Sequence, residues 1–213
     1  MEYIIGVIPD LIQGIKLTFL ITIVGVLIGF VIGTFVGIGR LANNKFISWI
    51  CIIYIEIIRG TPILVQILFI YFGVSDLFSI NLDKLTASII AIAINAGAYV
   101  AEIVRGGIQS IDKGQTEAGR TLGLSHVQTM RYIVWPQAFK RIIPPLGNQF
   151  IISLKDTSLF SVIAVNDLLY MGKAYAASTF SYFEPYLMVG VFYLIITIPS
   201  SIILRIVERR LDV

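Results

Sequence analysis

The chain has 213 residues, 57% hydrophobic and only 14% charged, with a mean hydropathy of +0.88. A soluble domain carries about 25% charged residues, and several apolar runs here reach the roughly 20 residues that cross a bilayer, so the composition excludes a soluble fold. The net charge of +3 is too small to point to nucleic acid, and the lone Cys51 excludes an intrachain disulfide.

The opening MEYIIGVIPDLIQG has acids where a signal peptide has basic residues, and it is read as retained. The apolar runs predict an all-α polytopic membrane protein with five transmembrane helices. These lie roughly at Ile15–Ile38, Trp49–Gly73, Leu85–Val104, Ile142–Val165 and Tyr186–Ile206. With the N-terminus outside, eleven Lys and Arg fall on the inner side and two, Lys84 and Lys173, on the outer. Basic residues collect on the cytoplasmic face, so the N-terminus is expected outside and the C-terminus inside. Residues 1–213 then form one transmembrane domain with a cytoplasmic loop at about 110–141.

The first span carries Gly25, Gly29, Gly33 and Gly37, a smooth strip along one helix face. Such a strip marks a close helix contact, either within the chain or across a dimer seam. In the second span, Glu56 and Arg59 are three residues apart, the spacing of a local ion pair. Pro62 removes the donor that would bond the Ile58 carbonyl, so a break is expected beside Gly60 and Thr61. Broken helices often line transporter sites; a plain kink is the other reading.

In the third span Asn95, Tyr99, Glu102 and Gly106 share a helical stripe, and in the fourth Gln149, Ser153 and Asp156 do the same. Polar groups at this depth face a cavity or a partner. Thr61, Asn95, Tyr99, Glu102, Gln149, Ser153 and Asp156 are therefore the candidate pathway residues. Each has a structural alternative: Glu102 an ion pair with Arg105, Asp156 a pair with Arg59, and the amides and Tyr99 hydrogen bonds between helices.

Ser110–Arg141 reads as two short helices. Asp112 and Gln115 suggest a first capping box, with a helix running to about Leu122, and Gly123 suits its left-handed C′ position. Ser125 and Gln128 suggest a second box, opening a helix toward Trp135, and Pro136 fits poorly within one. A solvated loop and a DNA-binding unit are the other readings. The density of capping signals favours a fixed shape that docks into a partner's groove.

The run Glu117-Ala118-Gly119, then Gly123, then Ile133-Val134-Trp135-Pro136 resembles the EAA loop of bacterial ABC importer permeases. Gly119 stands for the second alanine and Trp135 for a leucine. Arg59-Gly60-Thr61-Pro62 with Gln66, Ala98-Tyr99 with Glu102 and Arg105-Gly106, and Leu154 to Leu159 resemble the polar amino-acid branch of that family. The resemblance implies a permease subunit in the bacterial inner membrane that forms half of a substrate pathway. It implies partner ATPase subunits gripping Glu117, Ala118, Gly119 and Gly123, and a second permease subunit, the same or a sister chain. It also implies an extracellular or periplasmic binding protein that delivers an amino acid, in a setting of membrane lipid.

No phosphate loop of the form G-x-x-x-x-G-K-[ST] occurs in the chain. ATP and magnesium are thus expected on the partner ATPase, with no catalytic residue, metal site or cofactor in this chain. The cargo is expected to be a polar amino acid, and a basic one if both Glu102 and Asp156 face the cavity. The alternative function is a self-contained channel or secondary transporter for small polar solutes; a membrane scaffold would not need the polar stripes.

Overall fold

A computed structural model describes residues 2–211, with side chains from Gly6 onward, and every regular element among them is helical. In chain order these are α1 (Glu2–Arg40), α2 (Lys45–Arg59), α3 (Ile63–Leu68), a π-helical turn (Phe69–Val74) and α4 (Ser75–Phe78). After these come α5 (Lys84–Gln109), α6 (Lys113–Thr121), α7 (His126–Thr129) and a second π turn (Met130–Val134). The chain finishes with α8 (Trp135–Asp156), a 3-10 turn (Thr157–Ile163), α9 (Leu168–Thr179) and α10 (Phe183–Leu211).

α1, α5 and α10 are each long and apolar enough to cross a bilayer, and α2 with Ile63–Phe78 qualifies as one further, bent crossing. The predicted fourth span falls on α8, which is 22 residues long and carries Lys140, Arg141, Lys155 and Asp156. Its charged, amide and proline residues leave it less apolar than the other spanning helices, although at about 1.5 Å per residue it is about 33 Å long. It ends at Asp156, and the predicted span continues through the 3-10 turn and ends two residues beyond it.

The glycine strip resolves to a contact within the chain. A Cβ at Gly29 would lie 2.9 Å from the Ala93 carbonyl oxygen, and one at Gly33 or Gly37 would lie 2.6 Å from that of Gly97 or Ala101. α1 therefore lies directly on the small residues of α5, where backbone approach gives the dispersion contact that holds membrane helices together. Gly97 also leaves room on another side for Tyr54 of α2, whose hydroxyl donates to the Ile94 carbonyl at 2.7 Å. α5 is thus the central element, and half of its length is buried.

Two apolar cores lie along α5. One gathers Ile21, Ile67, Ile92 and Phe160, and the other gathers Val100, Val104, Val134 and Ile142. A third core, of Val7, Leu11, Leu168 and Val189, seats α9 against α1 and α10. α9 has no counterpart among the predicted elements. Its signal is Asp167, whose carboxylate accepts from the backbone N–H of Leu169 and Tyr170 as an N-cap.

Candidate functional site

The break in the second span is sharp: α2 and the helix beginning at Ile63 meet at 101°. The Ile58 carbonyl left without a donor by Pro62 is taken up by Gln66, whose Nε2 lies 2.7 Å from it and 3.0 Å from Thr61 O and Oγ1. The Oε1 of Gln66 accepts from Asn95 Nδ2 at 3.0 Å, which ties the break to α5. Thr61 Oγ1 in turn donates to the Ile57 carbonyl at 2.9 Å. A bend that exposes backbone inside a membrane is thereby closed by side chains rather than by lipid-facing strain.

Beside the bend lies a cavity of about 570 Å³ lined by Arg59, Thr61, Asn95, Tyr99, Gln149 and Asp156, together with Gly60, Pro62, Ile63 and Ile152. Five of the seven predicted pathway residues thus meet in one place, drawn from the break, α5 and α8. Ser153 is buried and accepts from Gln149 Nε2 at 3.2 Å, so it positions that amide and does not line the cavity.

Glu102 lies apart from the cavity as well. Its carboxylate takes Arg40, Arg105 at 2.9 Å and Arg59 at 3.7 Å. The expected Arg105 pairing is present, but the contact with Arg40, 62 positions away, had no local signal. The expected Glu56–Arg59 pair is absent: Glu56 is exposed, and Arg59 turns toward Glu102 with its guanidinium carbon 5.3 Å from the Tyr99 ring centroid. Of the two carboxylates within reach, Arg59 takes the partly buried Glu102, where charges are screened less than at the exposed Glu56. Among the described residues no cation lies within ion-pair distance of Asp156. Arg59 and Gln66 are the residues that reading the sequence placed wrongly or used only as resemblance.

At the other end of α5 the 110–141 loop has the expected shape. Gly123 sits at φ +82°, its N–H donates to the Arg120 carbonyl at 3.0 Å, and Leu124 N–H donates to the Gly119 carbonyl at 3.1 Å. These two bonds are the Schellman pair that ends a helix. The Ser125–Gln128 capping box forms in both directions. The Asp112–Gln115 box does not: Asp112 accepts from Gly114 N–H, and the Gln115 amide accepts instead from Gln137 at 3.2 Å. The helix also runs on through Pro136, because a π turn precedes it in which Trp135 N–H reaches back five residues to the Met130 carbonyl. Arg141 donates to the Ser110 carbonyl and ties the two ends of the loop.

Within this unit Glu117 and Ala118 are exposed, whereas Gly119 is buried, where a Cβ would lie 2.8 Å from Ile133 and Thr129 side-chain carbons. The glycine that replaces the second alanine lets α6 sit close on the following helix. Leu122 and Val127 are 79% and 74% exposed. Two large apolar side chains are thus held outward on a capped loop.

Residues 25–213 match the family described as the binding-protein-dependent transport system inner membrane component. The chain belongs to this family. Among curated relatives, the glutamine transport system permease protein GlnP of Escherichia coli K12 is 48% identical over 207 residues, 97% of this chain and 94% of that protein. The arginine transport system permease protein ArtQ of Bacillus subtilis is 33% identical over 96% of this chain and 93% of its own length. A solved amino-acid ABC transporter crystallised with histidines superimposes with a TM-score of 0.91 at 44% identity, covering 95% of this chain and 94% of that one. As a member of this family the chain is a transport-system membrane subunit, a permease rather than an enzyme, and a multi-pass component of the inner membrane. That sets aside the self-contained transporter.

Proposed function

We propose that this chain is the permease subunit of an amino-acid importer driven by separate ATPase subunits, and that the cavity beside Thr61 is its half of the cargo route. The observation that carries the proposal is the convergence of Arg59, Asn95, Tyr99, Gln149 and Asp156 on that cavity. A zwitterionic amino acid needs an anion for its ammonium group and a cation for its carboxylate; Asp156 supplies the first, and Arg59, which lines the cavity while 3.7 Å from Glu102, supplies the second. The amides and the Tyr99 hydroxyl suit a polar side chain. A basic cargo required a second free carboxylate, and Glu102 is engaged with arginines. Glutamine, the substrate class in the name of the 48% identical relative, is the first cargo to test.

Coupling would run through the 110–141 loop, with the N-terminus outside and this loop in the cytoplasm. The ATPase would grip Glu117, Ala118 and Leu122, with Gly123 holding the turn. Val134, Ala138 and Ile142 pack against Val104 and Ile108, so a displacement of the loop moves α5 and α8, which carry Asn95, Tyr99, Gln149 and Asp156. A second permease subunit, a binding protein outside the cell and bacterial membrane lipid complete the assembly.

The test is uptake of labelled glutamine, arginine and histidine by proteoliposomes holding the chain, its ATPase and a binding protein. ATP-dependent glutamine uptake that is sharply reduced by Asp156→Asn supports the cargo route. Uptake indifferent to Asp156→Asn and Asn95→Ala would remove it, and flux without any ATPase would restore the self-contained reading.

A further inference from the structure

A second cavity, of about 690 Å³, lies between the end of α1, the α1–α2 connection and the start of the α7–α8 helix. Its floor is apolar: Phe35, Ile38, Ile47, Met130 and Trp135 line it. Its polar lining residues are Arg131, His126 and Asn43, beside the exposed Val127, and no acid is among the lining residues. Arg131 is exposed and, among the described residues, has no carboxylate partner; its guanidinium carbon instead lies 5.7 Å from the Tyr132 ring centroid.

The apolar floor does not stop at the groove. Leu27, Val31, Phe35 and Ile38 of α1 share one helix face and are 46–73% exposed, an oily track that leads from mid-membrane into the groove. Trp135 lies in the groove and Trp49 on α2 is exposed, and indole rings collect at membrane–water boundaries. A track for hydrocarbon that ends at an exposed guanidinium, without a carboxylate partner among the described residues, suits an acyl chain joined to a phosphate.

We propose that this groove holds an anionic phospholipid of the cytoplasmic leaflet, with an acyl chain on Phe35, Ile38 and Trp135 and its phosphate on Arg131, His126 and Asn43. The bound lipid joins α1 and its connection to α2 with the α7–α8 helix, which is the arm of the coupling loop, and so braces that loop against the membrane. The site depends on the loop facing the cytoplasm, as the transport reading has it; uptake assays test that reading separately from the lipid measurement.

The chain has two tryptophans, so Trp49→Phe leaves Trp135 as the reporter. The full chain carrying this change goes into nanodiscs of phosphatidylcholine doped with a minor fraction of brominated phosphatidylglycerol or, in parallel, brominated phosphatidylcholine. Brominated phosphatidylglycerol should quench Trp135 more strongly at equal fraction. Because one basic side chain at an anionic surface is worth about 1 kcal/mol, Arg131→Gln should weaken that preference about fivefold. Lys140→Gln, exposed on α8 outside the groove, should leave it unchanged. In the complex with its ATPase, native mass spectrometry should find phosphatidylglycerol retained by the wild type and lost from Arg131→Gln. Equal quenching by the two lipids, a preference that survives Arg131→Gln, or displacement of the lipid by the ATPase would each overturn the proposal.

Discussion

Replacing Gln66 by leucine removes the side chain that closes the break between α2 and α3 while keeping an apolar group at a buried position. In the variant the Ile58 carbonyl keeps only Thr61 Oγ1 at 3.4 Å, and the buried Asn95 amide loses its acceptor. An orphaned buried polar group costs about 1–3 kcal/mol. Both groups sit beside a cavity that admits water, which holds each to the lower end and makes the expected total about 2 kcal/mol. For a chain of this size that lowers the unfolding midpoint by about 4–8 °C. The assay is thermal unfolding of the detergent-purified chain, followed by its monodisperse fraction on size exclusion. Asn95→Leu supplies an internal check. Asn95 has already lost its partner in Gln66→Leu, so the double variant should be less destabilised than the sum of the singles, by about 1 kcal/mol. A Gln66→Leu midpoint equal to that of wild type, or strictly additive effects, would refute the closure argument.

Glu102→Gln removes the charge shared by Arg40, Arg59 and Arg105 and should lower stability by about 1.5–3 kcal/mol, whereas Glu56→Gln, at an exposed glutamate, should leave the same melting curve unchanged. Gly123→Val meets nothing within 4 Å but must hold φ +82°, a backbone cost of about 1–2 kcal/mol for an L-residue; the permease should insert normally yet lose transport and stimulated ATP hydrolysis, and full activity in the variant would remove Gly123 from coupling. Asp167, past the end of the fourth predicted span, is pushed up to about 6 by burial, against the opposing pull of its N-cap hydrogen bonds. Between about pH 4 and 6 the folded carboxyl holds a proton that the unfolded one has released, so stability should fall as pH rises through that window. Asp167→Asn keeps the cap and should flatten the dependence in a melting series from pH 4 to 7; an unchanged slope would contradict the assignment.

Much of this molecule follows from local chemistry. Hydrocarbon runs of membrane length, a proline that orphans one carbonyl, a left-handed glycine after α6 and a reciprocal Ser125–Gln128 cap all depend on neighbours within a few residues, and each was legible before any fold was known. The polar stripes on α5 and α8 likewise follow from helical spacing, although their meeting in one cavity does not. Tertiary packing decided the rest. It turned the chain through 101° at the break, laid the glycine strip of α1 on α5, and seated α9 against α1. It also carried Arg40 across 62 positions to Glu102 and set Arg59 beside that same carboxylate rather than its near neighbour Glu56. An ion pair goes to the partner that packing holds in a partly buried place, where charges are screened least, and distance along the chain has no bearing on that choice.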